Sequence, residues 1–175
     1  MTSNNNFNVL LTEEQIKVRI DELSREITRD YRDKNLLLVS ILKGSFIFMA
    51  DLARSINLDL KIDFMSVTSY EGTNSSGVVR ILYDLSMPVQ DYDILLIEDI
   101  LDSGRTLSYI VSILKERKPK SIAICALLDK PSRRVVDVDA KYVGFTIPDE
   151  FVVGYGLDYN QDYRNIRDIV VLKDR

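Results

Sequence analysis

The stretch "LLIEDILDSGRTL", residues 95–107, decides how this chain is read. Leu95, Leu96 and Ile97 run into the adjacent acids Glu98 and Asp99; Asp102 follows, and then Ser103, Gly104, Arg105 and Thr106. The apolar centre of "DYDILLIED" reads as a strand covered on both faces. Leu107, Ile110, Val111 and Leu114, before Pro119, then fall on one stripe of a helix. In an open parallel sheet ligands bind beyond the carboxyl ends of the strands, where Glu98 and Asp99 fall. The Ser-Gly-Arg-Thr turn opens a helix, so free N–H groups, the helix dipole and two hydroxyls converge on a volume suited to a phosphate monoester. Gly104 lets the backbone approach the anion closely. Carboxylates beside a phosphate make sense when the ligand also carries hydroxyls for them to accept, as a ribose 5-phosphate does, with a divalent cation screening them from further phosphate. A lone acid here would be explained by a helix cap; two acids, a third and S-G-R-T together point to function.

The same strand-then-helix pattern recurs on both sides. Thr12 opens "TEEQIKVRIDELSREITRDY" with Gln15 placed for a capping box, and Ile16, Ile20, Leu23 and Ile27 follow at helical spacing. "NLLLVSILKGS" reads as a buried strand stopped at Gly44, and "FIFMADLARSI" puts Phe46, Met49, Leu52, Ala53 and Ile56 on one helical face. "LKIDFMSVTSY", "VVRILYD", "SIAICALLD" and "AKYVGFTI" supply further strands, and "EGTNSSG" between the first two has loop composition. Alternating strands and helices predict one α/β domain over residues 1–175, with a central, mainly parallel sheet flanked by helices. The segment from about 148 to 175 breaks the alternation and is expected, with the N-terminal residues, to form a small cap or hood.

Composition narrows the chemistry. The 175 residues are 46% hydrophobic and 29% charged, with 23 basic against 27 acidic residues, a net charge of about −4. That balance argues against a general nucleic-acid binder. The chain has no histidine, so imidazole triads and histidine acid-base catalysis are excluded, and proton transfer falls to carboxylate, lysine or tyrosine. The only cysteine, Cys125, sits in an apolar run and reads as a core residue of a protein in a reducing compartment. With no basic leader and no run of membrane-spanning length, the expectation is a soluble, cytoplasmic protein. Neither a Walker A loop nor G-x-G-x-x-G occurs.

"LLIEDILDSGRT" resembles, position by position, the phosphoribosyl pyrophosphate signature of the type I phosphoribosyltransferases, with Ser103 and Arg105 where Thr and Lys also occur. "SILKGS", "SVTSYEG", "LLDKPSRR" and "VGFTIPDEFVVGYGLDYNQDYRN" further resemble, in order, segments of the hypoxanthine-guanine branch. The resemblance implies the type I fold, Mg2+ as cofactor, and phosphoribosyl pyrophosphate and a 6-oxopurine as substrates, with homodimers or homotetramers common among relatives. It implies Asp102 as catalytic acid or base, Glu98 and Asp99 on the ribose hydroxyls and a shared magnesium, and Ser103, Gly104, Arg105 and Thr106 on the 5-phosphate. Lys130 would donate to the 6-oxo group, Phe151 and Ile100 would cover the purine faces, and the Val152 backbone would meet the base edge. Asp158 would bind a second magnesium and Arg164 the pyrophosphate. Lys43 and Gly44 would form the pyrophosphate loop, with a non-proline cis peptide between them, and Ser69 and Tyr70 would begin the mobile loop. Two other readings compete: a regulator that keeps this fold and binds nucleic acid, and a transferase preferring xanthine.

Overall fold

The computed structural model describes residues 7–69 and 79–173. At its centre lies β2 (Leu36–Leu42), buried along nearly its whole length. Strand side chains alternate between faces, so a strand covered on both sides has to be apolar throughout. Leu36 and Leu38 join a core with α1 (Glu13–Asp30) and α2 (Phe46–Ser55). Leu37, Val39 and Ile41 join a second core under α3 (Arg105–Glu116).

On one side β2 pairs in parallel with β3 (Leu60–Ser69), which pairs antiparallel with β4 (Val79–Tyr83). On the other side β5 (Asp93–Leu101), β6 (Ser121–Asp129) and β7 (Tyr142–Thr146) follow in parallel. The order β4-β3-β2-β5-β6-β7 gives the expected α/β architecture. From β2 the chain moves outward through α2 to β3, and from β5 through α3 to β6, so the winding reverses at the β2–β5 seam. In doubly wound sheets the ligand crevice opens at that reversal.

A second sheet forms the hood. It joins β1 (Phe7–Leu11), β9 (Ile169–Leu172) and β8 (Val152–Val153) in the antiparallel order β1-β9-β8. Sequence patterning did not mark β1 as a strand, because FNVLL has neither alternation nor a continuous apolar run; its conformation comes from pairing with β9. Val152, Tyr155, Leu157 and Ile169 seat the hood on the α1–α2 core.

Two local expectations bear on the site. The capping box holds: Thr12 Oγ1 accepts from the Gln15 amide at 3.3 Å and Gln15 Oε1 from the Thr12 amide at 2.9 Å. In α2 the expected Met49 and Leu52 are buried, with Ala53 packed against the core, but Phe48 takes the place expected of Phe46, which is 43% exposed. Phe46 is the first residue of the helix, and the packing against β2 falls to positions further in; Ile56 is buried as the extended residue after the helix. Among the described residues no helix is long and apolar enough to cross a membrane.

Arg117, the C-cap of α3, donates to both Asp84 oxygens at 2.8 and 2.7 Å, tying α3 to the segment after β4. The Arg117 hydrogen bonds, against a smaller effect of burial, hold the Asp84 carboxyl below its ordinary 3.8. A group with a lowered folded-state pKa stabilises above its unfolded value and loses that contribution as pH falls through the folded one. Asp84→Asn should therefore lower the unfolding free energy at neutral pH by at most about 1 kcal/mol, the pair being partly exposed. The difference should vanish well below pH 3.8, as read from urea midpoints of both proteins across pH.

Candidate active site

The acids of the opening stretch lie within β5, which runs on to Leu101 rather than stopping at them. Glu98 continues the face of Ile94 and Leu96, toward α3, and Asp99 the face of Leu95 and Ile97, toward the hood. They accordingly line different recesses. Glu98 opens on a recess of about 80 Å³ beside Ser103, Gly104 and Thr106. Asp99 opens on a cleft of about 520 Å³ with Lys130, Phe151 and Asp158. Ile100 and Asp102 line both.

Burial first, and then the Asp99 charge, push the Glu98 carboxyl well above the usual range. Two carboxyls placed so closely ionise together only when a cation or donors compensate them. Among the described residues no three acids, cysteines or histidines cluster tightly enough to cage a metal. Magnesium needs no such cage, since it takes one or two carboxylates and fills its remaining positions with water and substrate oxygens. A single carboxylate on either side of β5, Glu98 in the smaller recess or Asp99 in the larger cleft, fits that donor set. Asp158 is less open: Oδ1 is 2.8 Å from Arg164 Nη2, and Oδ2 accepts from the Gln161 amide at 2.8 Å.

The phosphate-type loop is shaped from outside itself. Gly104, the N-cap of α3, has φ 81°, and a Cβ there would meet the Val136 carbonyl at 2.6 Å. The amides of Val135 and Val136 both donate to the Ser103 carbonyl at 3.0 Å. Arg134 donates through Nε to the Asp102 carbonyl at 3.0 Å and is ion-paired with Asp129. No side chain caps α3, so Asp102 is not a helix cap. Ser103 Oγ approaches the Arg105 amide at 3.4 Å, and Arg105 and Thr106 form the first helical turn rather than a loop.

Lys130, from the register that sets Leu101 opposite Asp129, is only 6% exposed. A lysine after a strand is ordinarily solvated; this one donates to the Glu150 carbonyl at 2.6 Å. Phe151 meets Tyr159 edge to face at 5.6 Å. Val152 is in β8 with its side chain buried in the core, so only its backbone is available to the cleft. Arg133 and Asp149 also line the cleft. Sequence reading passed over both, because neither charge stands out until β5 and β6 are placed side by side. Asp102 Oδ1 is shielded from water and makes no hydrogen bond, although Arg133 Nε stands 3.0 Å away as an ion pair.

At the β2–β5 seam, a Cβ on Gly44 would fall 1.6 Å from Asp99 Oδ2, and one on Gly156, at φ 100°, would fall 2.3 Å from the Gly44 carbonyl. The non-proline cis peptide is Leu42–Lys43, one bond earlier than the expected Lys43–Gly44. Lys43 Nζ and Arg164 Nη2 both donate to Gln161 Oε1, at 3.1 and 3.3 Å, so the two expected pyrophosphate cations do converge. Gln161 is a further residue that spacing gave no means to find. Ser69 ends β3 opposite Val79; Tyr70 and the "EGTNSSG" loop lie outside the described residues. Cys125 is fully buried, and burial pushes its thiol up, away from nucleophilic use.

Comparison with known proteins agrees with this geometry. Residues 8–160 match the phosphoribosyl transferase domain family. The chain is 54% identical over 167 residues to the hypoxanthine-guanine phosphoribosyltransferase of Staphylococcus epidermidis, covering 95% of this chain and 93% of that one. It is 52% identical over 166 residues to the bifunctional protein TilS/HprT of Listeria monocytogenes, where the match covers 94% of this chain and 26% of the longer protein. The crystal structure of a hypoxanthine phosphoribosyltransferase from Staphylococcus aureus superposes with a TM-score of 0.93 at 53% identity, over 97% of this chain and 93% of that one. The Trypanosoma cruzi hypoxanthine phosphoribosyltransferase in complex with the product IMP superposes at 0.91 and 41% identity, over 98% and 97%. With a cleft shared by Asp102, Lys130 and Phe151 and relatives above half identity along nearly its whole length, the chain belongs to the phosphoribosyltransferase family.

Proposed function

We propose that the protein transfers the 5-phosphoribosyl group of phosphoribosyl pyrophosphate to hypoxanthine or guanine, forming IMP or GMP and pyrophosphate, as a cytoplasmic step of purine salvage. The observation that carries this is the position of Asp102. It lines both recesses, with uncapped helix amides in one and Lys130 and Phe151 in the other. A phosphate in the first and a base in the second would meet at Asp102. The names of the relatives, and the IMP bound by the Trypanosoma cruzi protein, support the choice of substrates and product.

In this reading Ser103, Gly104, Arg105 and Thr106 hold the 5-phosphate at the start of α3. Glu98 and Asp99 accept hydrogen bonds from the ribose hydroxyls. Ile100 and Phe151 cover the two faces of the purine, and the backbone of Val152 meets its edge. Lys130, a donor only, selects an oxo group at C6 over the amino group of adenine. As the bond from the purine nitrogen to the anomeric carbon forms and the bond to pyrophosphate breaks, Asp102 takes up the ring proton. Lys43, the Gly44 backbone and Arg164 receive the pyrophosphate. Ser69 and Tyr70 begin the segment that excludes water during the reaction. Glu98 and Asp99, with Asp158 at a second position, would hold Mg2+, which when bound supplies neutralisation of the pyrophosphate charge. We take residues 1–175 as one functional domain with its hood over about 148–175, acting on small molecules rather than nucleic acid and assembling as a homodimer or homotetramer.

Initial rates with phosphoribosyl pyrophosphate and hypoxanthine, guanine, xanthine or adenine test the reading. Hypoxanthine or guanine should turn over fastest. A preference for xanthine would reassign the acceptor, and a DNA or RNA shift at physiological salt with no turnover would favour a regulator. Asp102→Asn should lower kcat by about a hundredfold or more, the usual contribution of a positioned base, with the KM for phosphoribosyl pyrophosphate little changed. Lys130→Ala should erode the preference for 6-oxopurines over adenine, and an unaltered order would remove Lys130 from the base site. Gly44→Ala should leave the melting temperature nearly unchanged, since its Cβ meets the movable end of Asp99. It should raise the KM for phosphoribosyl pyrophosphate by about tenfold, the order expected for one lost charged hydrogen bond.

A further inference from the structure

Asp102 has a neighbour that the proposed reaction does not use. Arg133 ends the 3-10 turn Pro131–Arg133 that follows β6. Its Nε stands 3.0 Å from Asp102 Oδ1, and its Nη1 donates to the two Asp149 oxygens at 3.3 and 3.4 Å. Asp149 Oδ1 in turn lies 3.9 Å from Lys130 Nζ. Charges therefore alternate along the cleft wall, from Asp102 through Arg133 and Asp149 to Lys130.

We infer that Arg133 is a positioning residue, which biases the Asp102 carboxyl relative to Lys130 by holding its positive charge beside Oδ1 and leaving Oδ2 for the purine proton. The inference rests on the proposed transfer reaction and deepens it. The two neighbouring arginines divide the task. Arg134 holds the backbone of Asp102 through its carbonyl, which leaves the side-chain torsions free. The terminal torsion of an aspartate is broad, so an unheld carboxyl samples many orientations. Proton transfer needs heavy atoms within about 2.6–3.2 Å, a condition a small rotation destroys. A guanidinium is planar and rigid, so its Nη1 bonds to Asp149 fix where its Nε charge stands beside Asp102, which the flexible point charge of lysine cannot do. Asp102 Oδ1 is shielded from water while the side chain as a whole is 42% exposed, so the exposure is carried by its other atoms. Arg133 is itself 52% exposed, and its ion pairs add little to stability. Its place is better explained by geometry than by folding.

The test uses the full chain and steady-state rates with hypoxanthine and phosphoribosyl pyrophosphate. Arg133→Ala should lower kcat by roughly ten- to a hundredfold, as misplacement of a catalytic group does, with the KM for phosphoribosyl pyrophosphate and the melting temperature near wild type. Arg133→Lys should restore only part of the loss, and Asp149→Asn, which frees the other end of the fork, should show a smaller fall of the same kind. Adding Arg133→Ala to Asp102→Asn should cost nothing further, because the arginine acts through the carboxyl that is already disabled. A wild-type kcat in Arg133→Ala, complete rescue by lysine, or a loss that multiplies onto Asp102→Asn would each overturn the inference. A wild-type chain that forms no nucleotide would instead sink the transfer reading, and the inference with it.

Discussion

Everything in the site is referred to the end of the β2–β5 seam, where Gly44 and Asp99 share a volume with no room for a side chain at position 44. Parallel pairing brings the two strand ends to the same height, and the reversal of winding keeps helices from covering them. Gly156 presses on the Gly44 carbonyl from the hood side, so the hood is registered on this point as well. The hood and the pyrophosphate-type loop thus approach each other backbone to backbone, while the Asp99 carboxylate fills the space beside Gly44.

The energetic tension sits beside that seam. Glu98 is buried beside a second carboxyl, and burial first, then the Asp99 charge, raises its pKa well above the ordinary range. Nearby cations are engaged elsewhere: Arg134 with Asp129 and the backbone, Arg133 with Asp102 and Asp149, Arg164 with Asp158. A carboxyl left short of compensation at a ligand crevice is the pattern of a group prepared for a partner from solution.

The sheet and the phosphate-type loop were legible in the sequence because each rests on local signals. LLLVSIL and DILLI carry the mark of strands covered on both faces, the Thr12–Gln15 box starts α1, and Gly104 marks the turn into α3. What escaped were features created only by assembly. β1 is a strand because β9 lies beside it. The separation of Glu98 from Asp99 follows from the faces of β5, and Arg133 and Asp149 matter only once the β5–β6 register sets Leu101 against Asp129. Phe46 misled for a related reason: helical period gives a face, while the packing of the first turn depends on how the chain enters it.

The hood pairing Phe7 with Leu172 has a topological consequence. The first and last described strands are hydrogen-bonded neighbours, so the path of the chain closes on itself like a belt, with its buckle on the wall that carries Phe151. The wall therefore answers to β9, and through it to β1: loosening β9 releases β8 and with it the residue beside the proposed purine.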